Sequence, residues 1–578
     1  MVKFLLGILT GILLTFFMAI SAVLLLAALG SVSPPVPEDA VLTIRLRGDI
    51  PEHAASEFSL QWLRSGPPAT LLDLRNALKK AANDDRISAL ALRCGGLSVG
   101  WAKAQEIRYN IESFKKSGKP VVALLQSAGT LDYFVSSAAD EVFMVPEGFL
   151  DMKGMRAEVS FYADGLEKLG VEAEIERIGK YKSAAEPYSR SSMSDAYREV
   201  VNSVLDDTYG RFVTTVAGSR GKSDEEFRKL LDEGPFISTD ALEAELIDGL
   251  KYDDEFKDHL KETLDREEWH EVTFGDYRQS LQDPATLGVE NQIAIVYAVG
   301  EIMSGNSKVD PFLGSQVLGS ESFAKTLREV RKDDSIKAVI LRVNSPGGDA
   351  FASDLMWREV NLLREEKPLV VSMSDVAASG GYYISMAQAP VVAYPGTFTG
   401  SIGVIYGKMN LRGLYNKLGV KKEVLTRGRF AAIDSDYHSL TPAEREKMQY
   451  EIGAFYKTFV QKVADSRERE WDEIDEVAQG RVWMGSQAYE NGLVDELGGF
   501  DRAIELAQEA AGLKDGEFRL TPYPAPRQLF ETLLDSDSFS WGKAWELPAA
   551  LSPQRLGISP SLLKGGVLKL APYTITLQ

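Results

Sequence analysis

Ile87-Ser88-Ala89-Leu90-Ala91-Leu92-Arg93 returns later in the chain as Ile336-Lys337-Ala338-Val339-Ile340-Leu341-Arg342, a displacement of 336 − 87 = 249. Both are short runs of Ile, Leu, Val and Ala, as in strands buried on both faces. The recurrence continues outward in the same order. Upstream, Val41-Leu42-Thr43-Ile44-Arg45-Leu46-Arg47-Gly48-Asp49-Ile50 matches Ile293-Ala294-Ile295-Val296-Tyr297-Ala298-Val299-Gly300-Glu301-Ile302, displaced by 300 − 48 = 252. Downstream, Lys168-Leu169-Gly170-Val171 matches Lys417-Leu418-Gly419-Val420 at 249, and Leu246-Ile247-Asp248-Gly249-Leu250 matches Leu493-Val494-Asp495-Glu496-Leu497 at 247. Four anchors in one order with a slowly drifting displacement mean an internal duplication. A period near 250 residues is that of a domain, not of a solenoid.

At 578 residues the chain exceeds what one core supports, and the duplication divides it. Within each copy, apolar runs alternate with amphipathic segments at helical spacing. In the second copy, 338–343 and 369–373 read as buried strands, and 323–331 and 354–365 as helices. Runs apolar on both faces fit parallel strands covered by helices, so the fold class is α/β. The expected organisation is a first copy over 39–265, a polar linker over 266–290 and a second copy over 291–512. The repeat is expected to stop near Gly512, leaving a Pro-rich, Trp-bearing tail, 513–578, without a counterpart or an assigned role.

The formal net charge of −20 and pI near 4.9 argue against a surface that tracks nucleic-acid phosphates. Cys94 is the only cysteine, which excludes an intrachain disulfide and a thiolate metal cluster. His53, His259, His270 and His438 have no close mutual spacing, so no dedicated metal site is expected. Residues 4–29 carry no charge and as a helix would span a hydrocarbon core of about 30 Å. We expect an uncleaved transmembrane anchor over 1–30, followed by a stiff spacer over 31–38 that contains Ser33-Pro34-Pro35-Val36-Pro37. Lys3 before the span and Glu38 and Asp39 after it place the body outside the cytoplasm.

Two segments of the second copy carry chemistry. Asn344-Ser345-Pro346-Gly347-Gly348 follows one strand, and Ala377-Ala378-Ser379-Gly380-Gly381-Tyr382 follows the next. A serine at a strand-to-helix transition can be held exposed beside unpaired N–H groups, and adjacent glycines let a backbone N–H approach a reacting carbonyl. From spacing alone both segments read equally as tight turns in which serine caps a helix.

Those residues, with Thr399-Gly400-Ser401-Ile402-Gly403-Val404 and, in the first copy, Gly179-Lys180-Tyr181-Lys182-Ser183-Ala184-Ala185-Glu186-Pro187-Tyr188, resemble the bacterial signal peptide peptidase SppA family (peptidase family S49) in its long two-copy form. The resemblance covers the chain up to the tail. It implies tandem domains of the Clp-protease and crotonase fold group, with Ser379 as nucleophile, Lys182 as general base and Ser401 orienting the lysine. Oxyanion donors are expected from the N–H of Gly380 and from Gly347 or Gly348. It further implies residual signal peptides and other short or unfolded peptides as substrates, a homotetramer, no cofactor and no metal. The location it implies is the bacterial inner membrane with the body on the periplasmic side.

The duplication checks this assignment independently. The counterpart of Ser379 is Thr130 and that of Lys182 is Ala431, so each copy retains half of the pair. The first-copy counterpart of the Asn-Ser-Pro-Gly-Gly turn, Cys94-Gly95-Gly96-Leu97, lacks the proline. A lysine base must be neutral, which requires its pKa to fall from about 10.4 toward 7 or 8. His438 is a formal alternative base. Two other readings keep the fold but not the chemistry: a crotonase-like acyl-CoA enzyme using carboxylates, and a noncatalytic membrane scaffold.

Overall fold

Strand β1 (Ala40–Gly48) sends alternate residues to opposite sides. Val41 joins Ala89, Ala91, Val122 and Phe256 in one apolar layer, whereas Leu42 and Ile44 join Leu90, Leu92 and Phe212 in the other. Burial on both faces is why these runs carry no polar alternation. β2 (Ile87–Leu97), β3 (Val121–Gly129) and β4 (Glu141–Asp151) continue the sheet in parallel, with helices α1 (Trp101–Lys115) and α2 (Thr130–Ser136) intervening. The chain then leaves the sheet as β5 (Ala157–Glu158), β6 (Glu172–Ile178) and the long helix α3 (Asp195–Ser219). It returns as β7 (His270–Thr273), parallel to β1, giving the order β4-β3-β2-β1-β7.

The computed structural model describes residues 36–54, 68–281, 289–309, 316–525, 566–570 and 576–577, with isolated positions near the N-terminus. The anchor expected over 1–30 lies outside the described residues except for those positions. Among the described residues no helix is long and apolar enough to cross a membrane.

The second copy repeats the plan. β8 (Gln292–Val299), β9 (Ile336–Ser345) and a short β10 (Gly347–Asp349) precede β11 (Leu369–Ala378) and β12 (Phe398–Gly400). Helices Ser320–Lys332 and Ala350–Glu366 stand where helical spacing placed them. The five-residue helix α4 (Gly380–Ile384) follows β11. β13 (Val404–Asn410), helix α5 (Pro442–Arg467) and β14 (Val482–Met484) lead to β15 (Arg519–Tyr523). The parallel order is β12-β11-β9-β8-β15, strand for strand that of the first copy.

Two expected boundaries move. Residues 266–290, expected as a linker, begin inside the first domain: β7 pairs with β1, and Val272 and Tyr277 are buried. The repeat also runs past Gly512, because β15 lies 519 − 270 = 249 residues after β7 and pairs with β8 as β7 pairs with β1. Both are short edge strands of mostly polar residues, and β15 contains Pro522, so neither shows an apolar run. The far tail contributes β16 (Gly566–Leu570) and β17 (Thr576–Leu577). β16 lies antiparallel between β10 and β13, and β6 of the first copy pairs along the other edge of β13.

The two copies also meet through buried charge. The guanidinium of Arg342 on β9 reaches Glu52 at 2.9 Å and Glu106 of α1 at 2.7 Å, both from the first copy. Asp375 on β11 accepts the Gly100 and Lys103 N–H groups at the start of α1, at 3.1 and 2.9 Å. Burial pushes the Glu106 carboxyl up to about 7 against the pull of Arg342. The folded chain therefore holds a proton there that the unfolded chain releases above its ordinary 4.5, so this contribution to stability falls as pH rises from that value through 7. We expect the thermal midpoint of wild type to drop more than that of Glu106→Gln between pH 5 and pH 8, by about 2–4 °C, read by calorimetry.

Candidate active site

Ser379 turns the chain from β11 into α4 with φ 55° and ψ −112°, a conformation that costs a residue bearing a side chain about 1–3 kcal/mol. Its N–H donates to the Gly400 carbonyl and its own carbonyl accepts from the Tyr383 N–H, both at 2.8 Å. The first N–H groups of α4 have no intrahelical partners. They lie against β10: a Cβ added to Gly380 would stand 3.0 Å from Gly347 Cα and 3.2 Å from the Gly348 nitrogen. Gly348 has φ 152°, and a Cβ there would lie 2.0 Å from the Ile302 carbonyl oxygen, so only glycine fits.

Lys182 arrives from the other copy. β6 pairs antiparallel with β13, from Asn410↔Glu172 to Val404↔Ile178, and delivers the chain to Gly179 at the edge of β13. The Lys182 Nζ then lies 2.8 Å from Ser379 Oγ, 2.8 Å from the Ser401 carbonyl oxygen and 2.9 Å from Ser401 Oγ. All three residues are buried, Lys182 at 1% exposure. Arg177 braces the segment, donating to the Lys182 carbonyl at 3.2 Å and to Glu186 at 2.7 Å. The neighbouring Lys180 is exposed, with its Nζ 3.0 Å from the Tyr181 hydroxyl and 4.6 Å from the centre of the Tyr181 ring. His438 pairs with Glu444 at 2.9 Å, at the start of α5.

Residues beyond those assigned a role from the sequence complete the site. Ser345 Oγ donates to the Gly300 carbonyl at 2.6 Å and accepts the Gly347 N–H at 3.2 Å. Asn344 Oδ1 accepts the Val376 N–H at 3.1 Å, tying the two glycine-bearing segments together. The sequence of the tail marks no role for it, yet β16 runs antiparallel along Gly347–Asp349, and its Leu568 is buried with Ile405, Ala184 and Tyr188. The alternation in Gly566-Val567-Leu568-Lys569-Leu570 is the one sequence cue to that strand.

The corresponding place in the first copy is closed. Asp132, one turn into α2, accepts N–H groups from Gly96 at 3.0 Å, Leu97 at 2.9 Å and Gly129 at 2.8 Å. A carboxylate thus fills the strand-to-helix turn of the first copy at the position that, at the displacement of 249, Gly381 holds in the second. Thr130 and Ala431, the repeat counterparts of Ser379 and Lys182, form no such pair within the chain; Ala431 is exposed.

A buried serine at a sharp strand-to-helix turn, an amine on its hydroxyl and glycine N–H groups beside it define the class of serine hydrolases. The family model described as Peptidase family S49 matches residues 113–266 and 361–514, once in each copy. "Serine protease SPPA, chloroplastic" of Arabidopsis thaliana is 39% identical over 83% of this chain and 70% of its own length. "Protease 4" of Salmonella typhi is 33% identical over 81% of this chain and 76% of its own, and "Protease 4" of Haemophilus influenzae 32% over 76% and 72%. The chain belongs to peptidase family S49, in a long form with two copies of the domain, and is a serine protease.

Asp132→Ala should cost about 1–3 kcal/mol in unfolding by denaturant, because it strands partly buried N–H groups. Peptide hydrolysis per folded molecule should stay within about twofold of wild type, since the carboxylate serves only the closed site.

Proposed function

We propose that this protein is a membrane-anchored endopeptidase with a Ser379–Lys182 dyad, acting on residual signal peptides and other short or unfolded peptides in the bacterial envelope. The observation that carries the chemistry is the 2.8 Å contact between Lys182 Nζ and Ser379 Oγ, made from opposite copies of the domain. With the amine neutral, its lone pair faces the Ser379 hydroxyl while its two N–H bonds reach the Ser401 hydroxyl and carbonyl. Ser401 is in this way the residue that aims the base. Ser379 attacks the peptide carbonyl as Lys182 takes its proton; the proton then passes to the leaving amine, and water hydrolyses the acyl-enzyme.

The carbonyl oxygen is received by the Gly380 N–H and by a second donor from β10. Gly347 directs its N–H to Ser345 Oγ, which favours Gly348 for that role. Membership in peptidase family S49 sets aside the acyl-CoA and scaffold readings. Each copy is read as a domain of the Clp-protease and crotonase type, and the assembly as a homotetramer. The uncharged segment 4–29 supports an anchor that holds the body at the outer face of the inner membrane. The antiparallel seat of β16 along β10 supports a groove that takes extended peptide as an added strand.

Ser379→Ala and Lys182→Ala should each lower kcat/KM on a fluorogenic peptide mixture by about a thousandfold or more, a loss of about 4 kcal/mol or more, with folding intact. Ser401→Ala should lower it about 10- to 100-fold. Near-wild-type turnover by Lys182→Ala would sink the dyad. Removing residues 526–578 should raise kcat/KM severalfold if β16 occupies the peptide's place; an unchanged KM with a fall in kcat would instead make β16 a wall of the site.

A further inference from the structure

Between helix Trp471–Val477 and β14 the chain makes a short link, Ala478-Gln479-Gly480-Arg481. Its main chain holds both segments that meet at Ser379. The Gln479 carbonyl accepts the Tyr181 N–H at 2.8 Å, one residue before the lysine. The Gly480 N–H donates to the Ile402 carbonyl at 2.7 Å, and the Arg481 carbonyl accepts the Ser401 N–H at 2.7 Å. Three successive residues thus tie the arm of the first copy to the segment that carries Ser401.

The approach is as close as two main chains permit. A Cβ on Gly480 would lie 2.5 Å from Lys182 Cβ, 2.6 Å from the Lys182 backbone nitrogen and 2.7 Å from its Cα. Two of those three atoms are main chain, so no rotation of the lysine side chain would relieve the clash. A Cβ on Gly179 would lie 2.6 Å from the Gln479 carbonyl carbon, and one on Gly403 would lie 3.1 Å from Lys182 Cδ. Bare glycines therefore border the lysine from its backbone to its stem.

Gln479 and Gly480 are successive left-handed residues, with φ 49° and 76°. A glutamine keeps that conformation only where its surroundings hold it. Its Nε2 donates to Asp475 Oδ1 at 2.8 Å and to the hydroxyl of Tyr456 on α5 at 3.1 Å, and its N–H donates to the same hydroxyl at 3.3 Å. The first copy has no such link. There Phe236 and Ile237 pair along β4 as Trp483 and Met484 pair along β12, a displacement of 247 that sets Asp232 and Glu233 at the places of Gln479 and Gly480. Both lie in a helix, Asp224–Glu233. The link is present where a lysine arrives at the serine turn and absent where none does.

We propose that Gly480 is a positioning residue for Lys182: residues 479–481 clamp the backbone from which the lysine starts, and the missing side chain at Gly480 lets its amine reach Ser379. The β6–β13 ladder brings the arm to Gly179, and the clamp governs the residues just beyond it. Gln479 locks the clamp in its left-handed form. Displacing the lysine leaves the peptide groove along β10 unchanged, so the loss falls on kcat and not on KM.

The test uses the full chain in detergent, with folding of each variant followed by circular dichroism and thermal midpoint. Gly480→Ala should lower kcat about 100-fold, with KM within about twofold of wild type. The acid limb of kcat/KM against pH should move up by about one pH unit, because an amine shifted toward water gives up its proton less readily. A merely structural defect lowers the active fraction equally at every pH and leaves that limb in place. Gln479→Gly keeps the left-handed backbone accessible and removes only the side-chain ties, so it should fold, with kcat about 5- to 20-fold down and the limb moved the same way. It carries the test alone if Gly480→Ala does not fold. The proposal is overturned if the folded variant keeps wild-type kcat, or if kcat falls with the limb unmoved. It rests on the dyad proposed above: near-wild-type turnover by Lys182→Ala would remove both, whereas either of those results beside an inactive Lys182→Ala removes the clamp alone.

Discussion

Antiparallel pairing of β6 with β13 is the contact on which the site depends. An amine and a hydroxyl proposed to share a proton have to meet within a few tenths of an ångström. Here they come from residues 197 apart in sequence and from different copies of one domain. Backbone pairing solves this, because a ladder in fixed register sets where the following residues fall. Four residues beyond Ile178, Lys182 drops between Ser379 and Ser401. Its side chain is long and flexible, but burial and three oxygen partners leave it one position.

β11 gives the same constraint from the other side. It leads directly into Ser379, and four residues before that serine it presents Asp375, whose carboxylate caps α1 of the first copy. The strand that leads into Ser379 is thereby fastened to the copy that supplies Lys182. The Arg342 cluster lies next to this cap and joins the same two bodies through charges that water does not reach. Such groups add little net stability, because their desolvation is costly, but they penalise any other docking of the copies that would leave one of them alone.

The duplication, the α/β class and the segments that bring Ser379, Lys182 and Ser401 together were legible in the sequence because each leaves a local mark. Buried parallel strands read as apolar runs, and the serine turn requires glycines at adjacent positions. β7 and β15 were not legible, since an edge strand with one covered face and polar ends looks like the linker or tail around it. β16 is a strand only because β10 and β13 leave a gap of its width; five residues at the far end of the chain give no hint of that gap. Asp132 was missed for a related reason. Its partners are backbone N–H groups, which have no letter in the sequence, and two of the three lie some 35 residues away across the fold.

That carboxylate bears on how the two copies have stayed different. Replacing Thr130 by serine would not by itself open a site in the first copy, because the Asp132 carboxylate would still fill the turn and hold the Gly96, Leu97 and Gly129 N–H groups. Removing the charge first would cost stability and return no activity. Neither single step is rewarded, so under the proposed dyad the difference between the copies behaves as a ratchet: two domains of one fold are held to different parts by a side chain that takes no part in the chemistry.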